Sequence, residues 1–279
     1  MTPARQGGWV LADIGNSRTK LVWLASGAHS VDRLFLDSTK TWDERLTLPT
    51  DRIEDQADAL KQWLKGKSIS GIWLASVHQL ALNQLVGLLD QALEETEAED
   101  ADGSILTSAM DVDVHNRLDF PERTGVDRAL AIRAALRLHN RKGPGIVVMC
   151  GTAMTVERID TDGVWIGGAI APGYRLAAKA LDQGTSGLMQ VGAIAQAPLA
   201  HGAQTKSAIE AGLFWGQVGT AKELIARAGS LPDSWEIWSG GDASLFARWA
   251  STEHAELVDD LVLMGLADFA AAGLDGQSV

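Results

Sequence analysis

The sequence predicts an α/β protein made of two similar halves, and three observations carry that prediction. An apolar run from Val10 to Ala12 ends in an Asp-x-Gly-Asn-Ser turn, and a second run, alternating in its first half, leaves it toward Leu24; this reads as strand, tight turn, returning strand. The same arrangement returns at Ile146 to Glu157, around Gly151-Thr152. Between and beyond the two hairpins, apolar residues recur at helical intervals. Setting Asp13 on Met149, 136 positions later, puts Gly15 on Gly151, Asn16 on Thr152 and Ser17 on Ala153. We read this matched order as a duplication, although two hairpins can also resemble each other by chance. Two such halves facing each other are expected to aim two glycine turns into one cleft, where a nucleotide phosphate chain is gripped from both sides.

The first turn, Asp13-Ile14-Gly15-Asn16-Ser17, has the parts of a phosphate cradle. Gly15 lets the backbone come close to a bulky ligand. Asn16, Ser17 and the exposed amides can donate to phosphate oxygens. Asp13, at the strand end, suits a hydrated Mg²⁺, which takes one or two carboxylates plus water. Lys20 adds a mobile positive charge. Taken alone, the stretch also reads as an ordinary hairpin with polar turn residues.

Along the chain, Ser30 to Leu36 is expected to be a third strand, with Thr39 to Trp42 an exposed connection. Ala57 to Leu64 has helical spacing, Gly71 to Val77 is a short buried strand, and Leu80 to Leu93 is a helix that packs on it. Glu94 to Gly103 is an acidic run, read as a solvated helix end and loop, and Ser104 to Thr107 returns to the sheet. Arg123 to Leu138 reads as a helix behind Pro121, and Arg141 to Gly145 marks a break. After the second hairpin come a strand from Val164 to Ile170, a long helix from Ser207 to Ala228, and a short strand at Glu236 to Ser239. The last feeds Gly240-Gly241-Asp242, where Asp242 is expected to cap the next helix. A closing helix spans about 259 to 272.

Composition narrows the function. An apolar fraction of 46% and a charged fraction of 22% describe an ordinary globular chain, with no apolar segment of the ~18 residues that a membrane span needs. The N-terminus lacks the apolar core of a secretion signal, so the cytoplasm is the expected location. One cysteine, Cys150, excludes an internal disulfide and a cysteine-based zinc site. A net charge of −12 argues against nonspecific nucleic-acid binding. His78, His115, His139, His201 and His254 show no metal-ligand spacing, and the ten Trp residues form no stripe suited to nucleic acid.

Seven short segments, in order, resemble the type III pantothenate kinase family, of the acetate and sugar kinase, Hsp70 and actin superfamily. Asp13-Ile14-Gly15-Asn16-Ser17-Arg18-Thr19-Lys20 is similar to its first phosphate motif and Ala75-Ser76-Val77 to its short strand-end motif. Gly125-Val126-Asp127-Arg128 matches its Gly-x-Asp-Arg signature, and Gly151-Thr152-Ala153-Met154-Thr155 its second phosphate motif. Gly167 to Gly173 resembles its Gly-Gly-x-Ile-x-Pro-Gly segment, Thr205 falls in the helix-opening motif that contacts pantothenate, and Gly240-Gly241-Asp242 resembles the adenosine loop. The resemblance implies two ribonuclease H-like (actin-like ATPase) domains, 1–118 and 119–279, with ATP in the cleft between them and the last helix packed back on the first domain. It implies phosphoryl transfer from ATP, with Mg²⁺ and a monovalent cation (K⁺ or NH₄⁺), to the primary hydroxyl of pantothenate in a homodimer. The product, 4'-phosphopantothenate, opens coenzyme A biosynthesis.

The implied ATP site is Asp13 to Lys20 with Thr152, and the implied pantothenate site is Gly125, Val126, Asp127, Arg128 and Thr205. Asp127 is the implied general base; a carboxylate in the first turn of a helix stays ionised through the dipole. Arg128 can fork onto a carboxylate or phosphate. On their own, Asp127 and Arg128 also read as a cap and an exposed ion pair, and Thr205 as a plain N-cap. Two positions depart from the family. Met149 stands where an Asp helps bind the monovalent cation, and a thioether is a poor ligand for K⁺, so the chain is expected either not to depend on K⁺ or to hold it with other oxygens. Leu118 stands where a Tyr contacts pantothenate. Two alternatives stay open: a noncatalytic nucleotide-binding or regulatory homologue, and a kinase of another small hydroxylated acid or sugar.

Overall fold

The structure, a computed structural model, describes residues 7–36, 42–93, 101–229, 234–253 and 255–275. The first half runs β1 (Gly8–Ile14), β2 (Arg18–Leu24), α1 (Val31–Leu36), β3 (Glu44–Pro49), α2 (Ala57–Leu64), β4 (Ile69–Ser76), α3 (Gln79–Leu93), β5 (Asp102–Leu106) and α4 (Val126–Leu138). The second runs β6 (Gly145–Cys150), β7 (Ala153–Ile159), β8 (Trp165–Pro172), α5 (Tyr174–Gln183), α6 (Thr205–Ala228), β9 (Trp235–Ser239), α7 (Ala243–Ala250) and β10 (Ala255–Leu257). A last helix, α8 (Leu261–Asp275), follows.

Both sheets have one strand order. The first is β3-β2-β1-β4-β5, and the second, from its β8 edge, is β8-β7-β6-β9-β10. In each, three strands form an antiparallel meander, and the first of them continues through two parallel neighbours. This is the ribonuclease H-like arrangement twice over. The hairpins differ by one residue. Ile14 pairs with Thr19 and Asp13 with Lys20, whereas Cys150 pairs with Met154 and Met149 with Thr155. The second turn is therefore one residue shorter.

The chain divides into two compact units. The first takes in Met1–Val114, Asp119–Leu138 and Leu261–Val279. On one face of its sheet, Val10, Ala12 and Ile14 pack with Leu60 and Leu64 of α2 and Leu82, Leu85 and Leu89 of α3. By strand alternation Trp9, Leu11 and Asp13 take the other face, where α8 lies along α4 and against β1. In the second unit, His115–Leu118 and His139–Asp260, Ile146, Val148, Val156 and Trp238 pack with Phe214 and Val218 of α6 and Phe246 of α7.

Several sequence expectations are corrected. Ser30 to Leu36 is a 3-10 turn and the helix α1, because Val31 and Leu34 bury one helical face. The third strand is β3 instead, whose exposed charged residues mark a sheet edge. Trp42 is buried, not exposed; Thr39 to Thr41, the acidic run from Glu94 to Asp100, and His254 lie outside the described residues. The helix expected from Arg123 opens at Val126, since Pro121 starts a separate 3-10 turn and Thr124 is extended. Asp242 stands at the N-cap of α7 without a side-chain capping bond. No helix among the described residues is long and apolar enough to cross a membrane.

Candidate active site

In the first unit, Asp13 at the end of β1, Lys20 opposite it on β2, and Asp127 in the first turn of α4 stand within electrostatic reach of one another. Burial pushes the Asp13 carboxyl up from 3.8 to about 6; the Lys20 ammonium opposes the rise and the Asp127 charge adds to it. A carboxylate held at that disadvantage gains from a nearby cation. Among the described residues no group of three or more His, Cys, Asp or Glu side chains forms a metal cage. Mg²⁺ takes one or two carboxylates and fills its other positions with water and phosphate oxygens, so the Asp13 carboxylate fits that ion. Met149, partly buried on β6 opposite Thr155, offers a hard monovalent cation only a thioether, which does not fit.

The local sequence explains these positions. The Gly15 amide donates to the Arg18 carbonyl at 3.1 Å, closing a turn whose tips, Asn16 and Ser17, are exposed. Ile14 is fully buried, and the Thr19 hydroxyl lies 3.0 Å from that of Thr50 in the interior. Neither residue presents its side chain to a ligand. Arg18 is exposed. Gly125 leaves room for the base: a Cβ there would lie 2.5 Å from Oδ1 of Asp127 and 3.4 Å from Val77. The Arg128 amide donates to the same Oδ1 at 2.8 Å. Val126 is buried and anchors the turn, while Asp127 and Arg128 stay partly exposed.

In the second unit three turns meet at the end of β6. The Gly151 amide donates to the Ala153 carbonyl at 3.0 Å, and the Gly173 amide donates to the Thr152 carbonyl at 3.0 Å. A Cβ on Gly173 would lie 2.2 Å from the Gly151 oxygen, so only glycine lets these turns touch. Gly240, at φ +101°, leaves no space for a Cβ against the Cys150 carbonyl, which also accepts the Asp242 amide at 3.2 Å. The Asp242 carboxylate stands 3.5 Å from Arg175. Thr205 is the first residue of α6, capped by Gln204, and lines a cavity of about 610 Å³ with Leu181, Leu188, Ile209 and Leu213. Leu118 lies near Gly167, 4.0 Å from where a Cβ would be.

Sequence reading missed α5, Arg175 and Gln217, whose side-chain amide donates to the Pro172 carbonyl at 3.0 Å and holds the turn before α5. The signal for α5 was the Pro172-Gly173 pair ahead of an Ala- and Leu-rich stretch.

Comparison with known proteins follows the same motifs. A family profile described as type III pantothenate kinase matches residues 9–227. The chain is 39% identical over 160 residues to a type III pantothenate kinase of Azoarcus sp., covering 57% of this chain and 58% of that one. It is 33% identical over 204 residues to one from Chromobacterium violaceum, covering 71% and 79%. The matched stretch is 58% of the Azoarcus relative and 56% of one from Paramagnetospirillum magneticum, so the chain spans less than two thirds of those relatives. Among solved structures, a conserved Baf family protein from Campylobacter jejuni superposes with a TM-score of 0.54 at 18% identity, covering 96% of this chain and 99% of that one. The ethanolamine utilization protein EutJ from Carboxydothermus hydrogenoformans gives 0.51 at 12% identity, covering 97% and 91%. With a profile that spans most of the sequence, the chain belongs to the type III pantothenate kinase family.

Proposed function

We propose that this chain phosphorylates pantothenate with ATP, giving 4'-phosphopantothenate and ADP at the start of coenzyme A biosynthesis. The observation that supports this most is the grouping of Asp13, Lys20 and Asp127 at the ends of β1, β2 and α4. Phosphoryl transfer asks for few parts, since positioning and charge neutralisation supply most of the acceleration. Asp127 accepts the proton of the primary hydroxyl as that oxygen bonds to the γ-phosphorus and the bond from phosphorus to the ADP oxygen breaks. Mg²⁺, when bound by Asp13, supplies charge neutralisation to the phosphate oxygens. Lys20 adds positive charge there. The amides of Gly15, Asn16 and Ser17, with Arg18, and the hydroxyl and amide of Thr152, take the phosphates. Arg128 takes the pantothenate carboxylate in a forked pair, beside Gly125 and Val126, and Thr205 donates to pantothenate from its cavity wall.

On this reading the working form is a cytoplasmic homodimer. Met149 supports turnover that does not depend on K⁺. The test is ADP release with pantothenate and Mg·ATP, with and without K⁺ or NH₄⁺. We expect pantothenate-dependent release in all cation conditions. Absence of release in every condition would return the noncatalytic reading, and faster release with another hydroxylated acid or sugar would change the substrate.

A further inference from the structure

Asp127 depends on where α4 lies, and α4 is an unusual helix to hold in place. Four of the nine residues it buries are alanines, Ala129, Ala131, Ala134 and Ala135, set among Val126, Leu130, Ile132 and Leu136. The alanines make shallow ridges, which fix position along a helix axis less firmly than large side chains do. The crossing with α8 is close, since a Cβ on Gly265 would lie 2.0 Å from the Leu130 carbonyl oxygen. Charged contacts come from two side chains of α4, Arg133 and Arg137. Arg133 is 3% exposed, and its Nε lies 2.6 Å from Oδ2 of Asp268 on α8. Its other nitrogens donate to the carbonyl of Asp113 at 3.2 Å and to that of Asp268 at 3.4 Å. Arg137, one turn on, also pairs with Asp268 and reaches Asp32 of α1. Arg133 is thus fixed to two separate chain segments, and Asp127 lies six residues before it on the same rigid helix.

We propose that Arg133, clamped by Asp268, is a positioning residue that sets the axial position of α4 and thereby aims the Asp127 carboxylate. The inference rests on Asp127 being the base. Removing Asp268 alone would leave Arg133 a buried, unpaired charge, so both are exchanged for apolar side chains of similar size; Arg137, which also loses Asp268, is partly exposed and keeps Asp32. The informative variant is therefore the double exchange Arg133→Met with Asp268→Leu, beside the single Arg133→Lys, which keeps the charge and loses the guanidinium's reach to both carbonyls.

Two readouts test it. In a crystal structure of the double variant we expect the Asp127 carboxylate to move by about 1 Å or more relative to Asp13, a displacement that costs on the order of 100-fold in rate. In turnover assays we expect kcat to fall about 10- to 100-fold with KM for ATP within about threefold, and Arg133→Lys to fall between wild type and the double variant. A double variant with Asp127 unmoved in the crystal overturns the proposal whether or not the chain phosphorylates pantothenate. An Asp127 that moves with kcat unchanged refutes its role as base and leaves the clamp standing. If the double variant does not fold, Arg133→Lys is read by the same two measurements.

Discussion

Replacing Asp13 by Asn should stabilise the ligand-free protein at neutral pH while weakening its grip on Mg·ATP. In the folded chain the Asp13 carboxyl titrates at about 6 rather than 3.8, mainly through burial, with Lys20 opposing and Asp127 reinforcing the rise. A group whose folded value is raised carries full stability below its unfolded value, and that stability is lost as pH climbs through the folded one. Below 3.8 the carboxyl is neutral in both states and costs nothing. Above about 6 it is charged in both, and the folded state bears the penalty. At about 1.4 kcal/mol for each tenfold step, the full rise corresponds to about 3 kcal/mol. Because Asp13 is only partly buried, solvent screening lowers this, and we expect about 1–3 kcal/mol. The assay is urea unfolding of wild type and Asp13→Asn at pH 4 and pH 7.5, without nucleotide. The variant should be more stable at pH 7.5, and the gain should shrink toward pH 4. With saturating Mg·ATP the order should reverse, because ligand that binds only the folded state stabilises the wild type more. A variant less stable at pH 7.5, or with an equal gain at both pH values, would refute the reasoning.

Other substitutions probe the same architecture. Gly125→Ala places a methyl 2.5 Å from Oδ1 of Asp127, so kcat should fall about 10- to 100-fold with little change in nucleotide affinity by calorimetry. Burial, with the Asp242 charge adding to it, pushes the Cys150 thiol from 9.0 up to about 12. At pH 8 the folded chain should therefore react with iodoacetamide about 1,000-fold more slowly than the urea-unfolded chain; equal rates would mean the second unit opens freely around β6.

The hairpins were legible because their information is local. Val10 to Ala12 and Ile146 to Cys150 are apolar runs leading to a glycine turn, and turn chemistry marked where each reverses. The third strand was not legible, since β3 sits at a sheet edge and shows Glu44 and Arg45 to solvent, while Leu34 and Leu36, two apart, pass for strand alternation. The site divided the same way. Motif residues such as Gly125 and Asp127 stood out in sequence, and the structure adds a steric reason for the glycine. The partners that fix them did not stand out. Arg175 meets Asp242, and Arg133 meets Asp268 across 135 positions; no periodicity links such pairs, and only the folded chain brings them together. Asp242 looked like a helix cap because an Asp at that place usually is one, yet the long-range ion pair took its carboxylate.

The most direct measurement compares wild type with Asp127→Asn in pantothenate-dependent ADP release, alongside calorimetric binding of Mg·ATP. The account predicts a loss in kcat of about 100- to 10,000-fold, the usual worth of a general base, with nucleotide affinity nearly unchanged. Wild-type turnover by Asp127→Asn would contradict it.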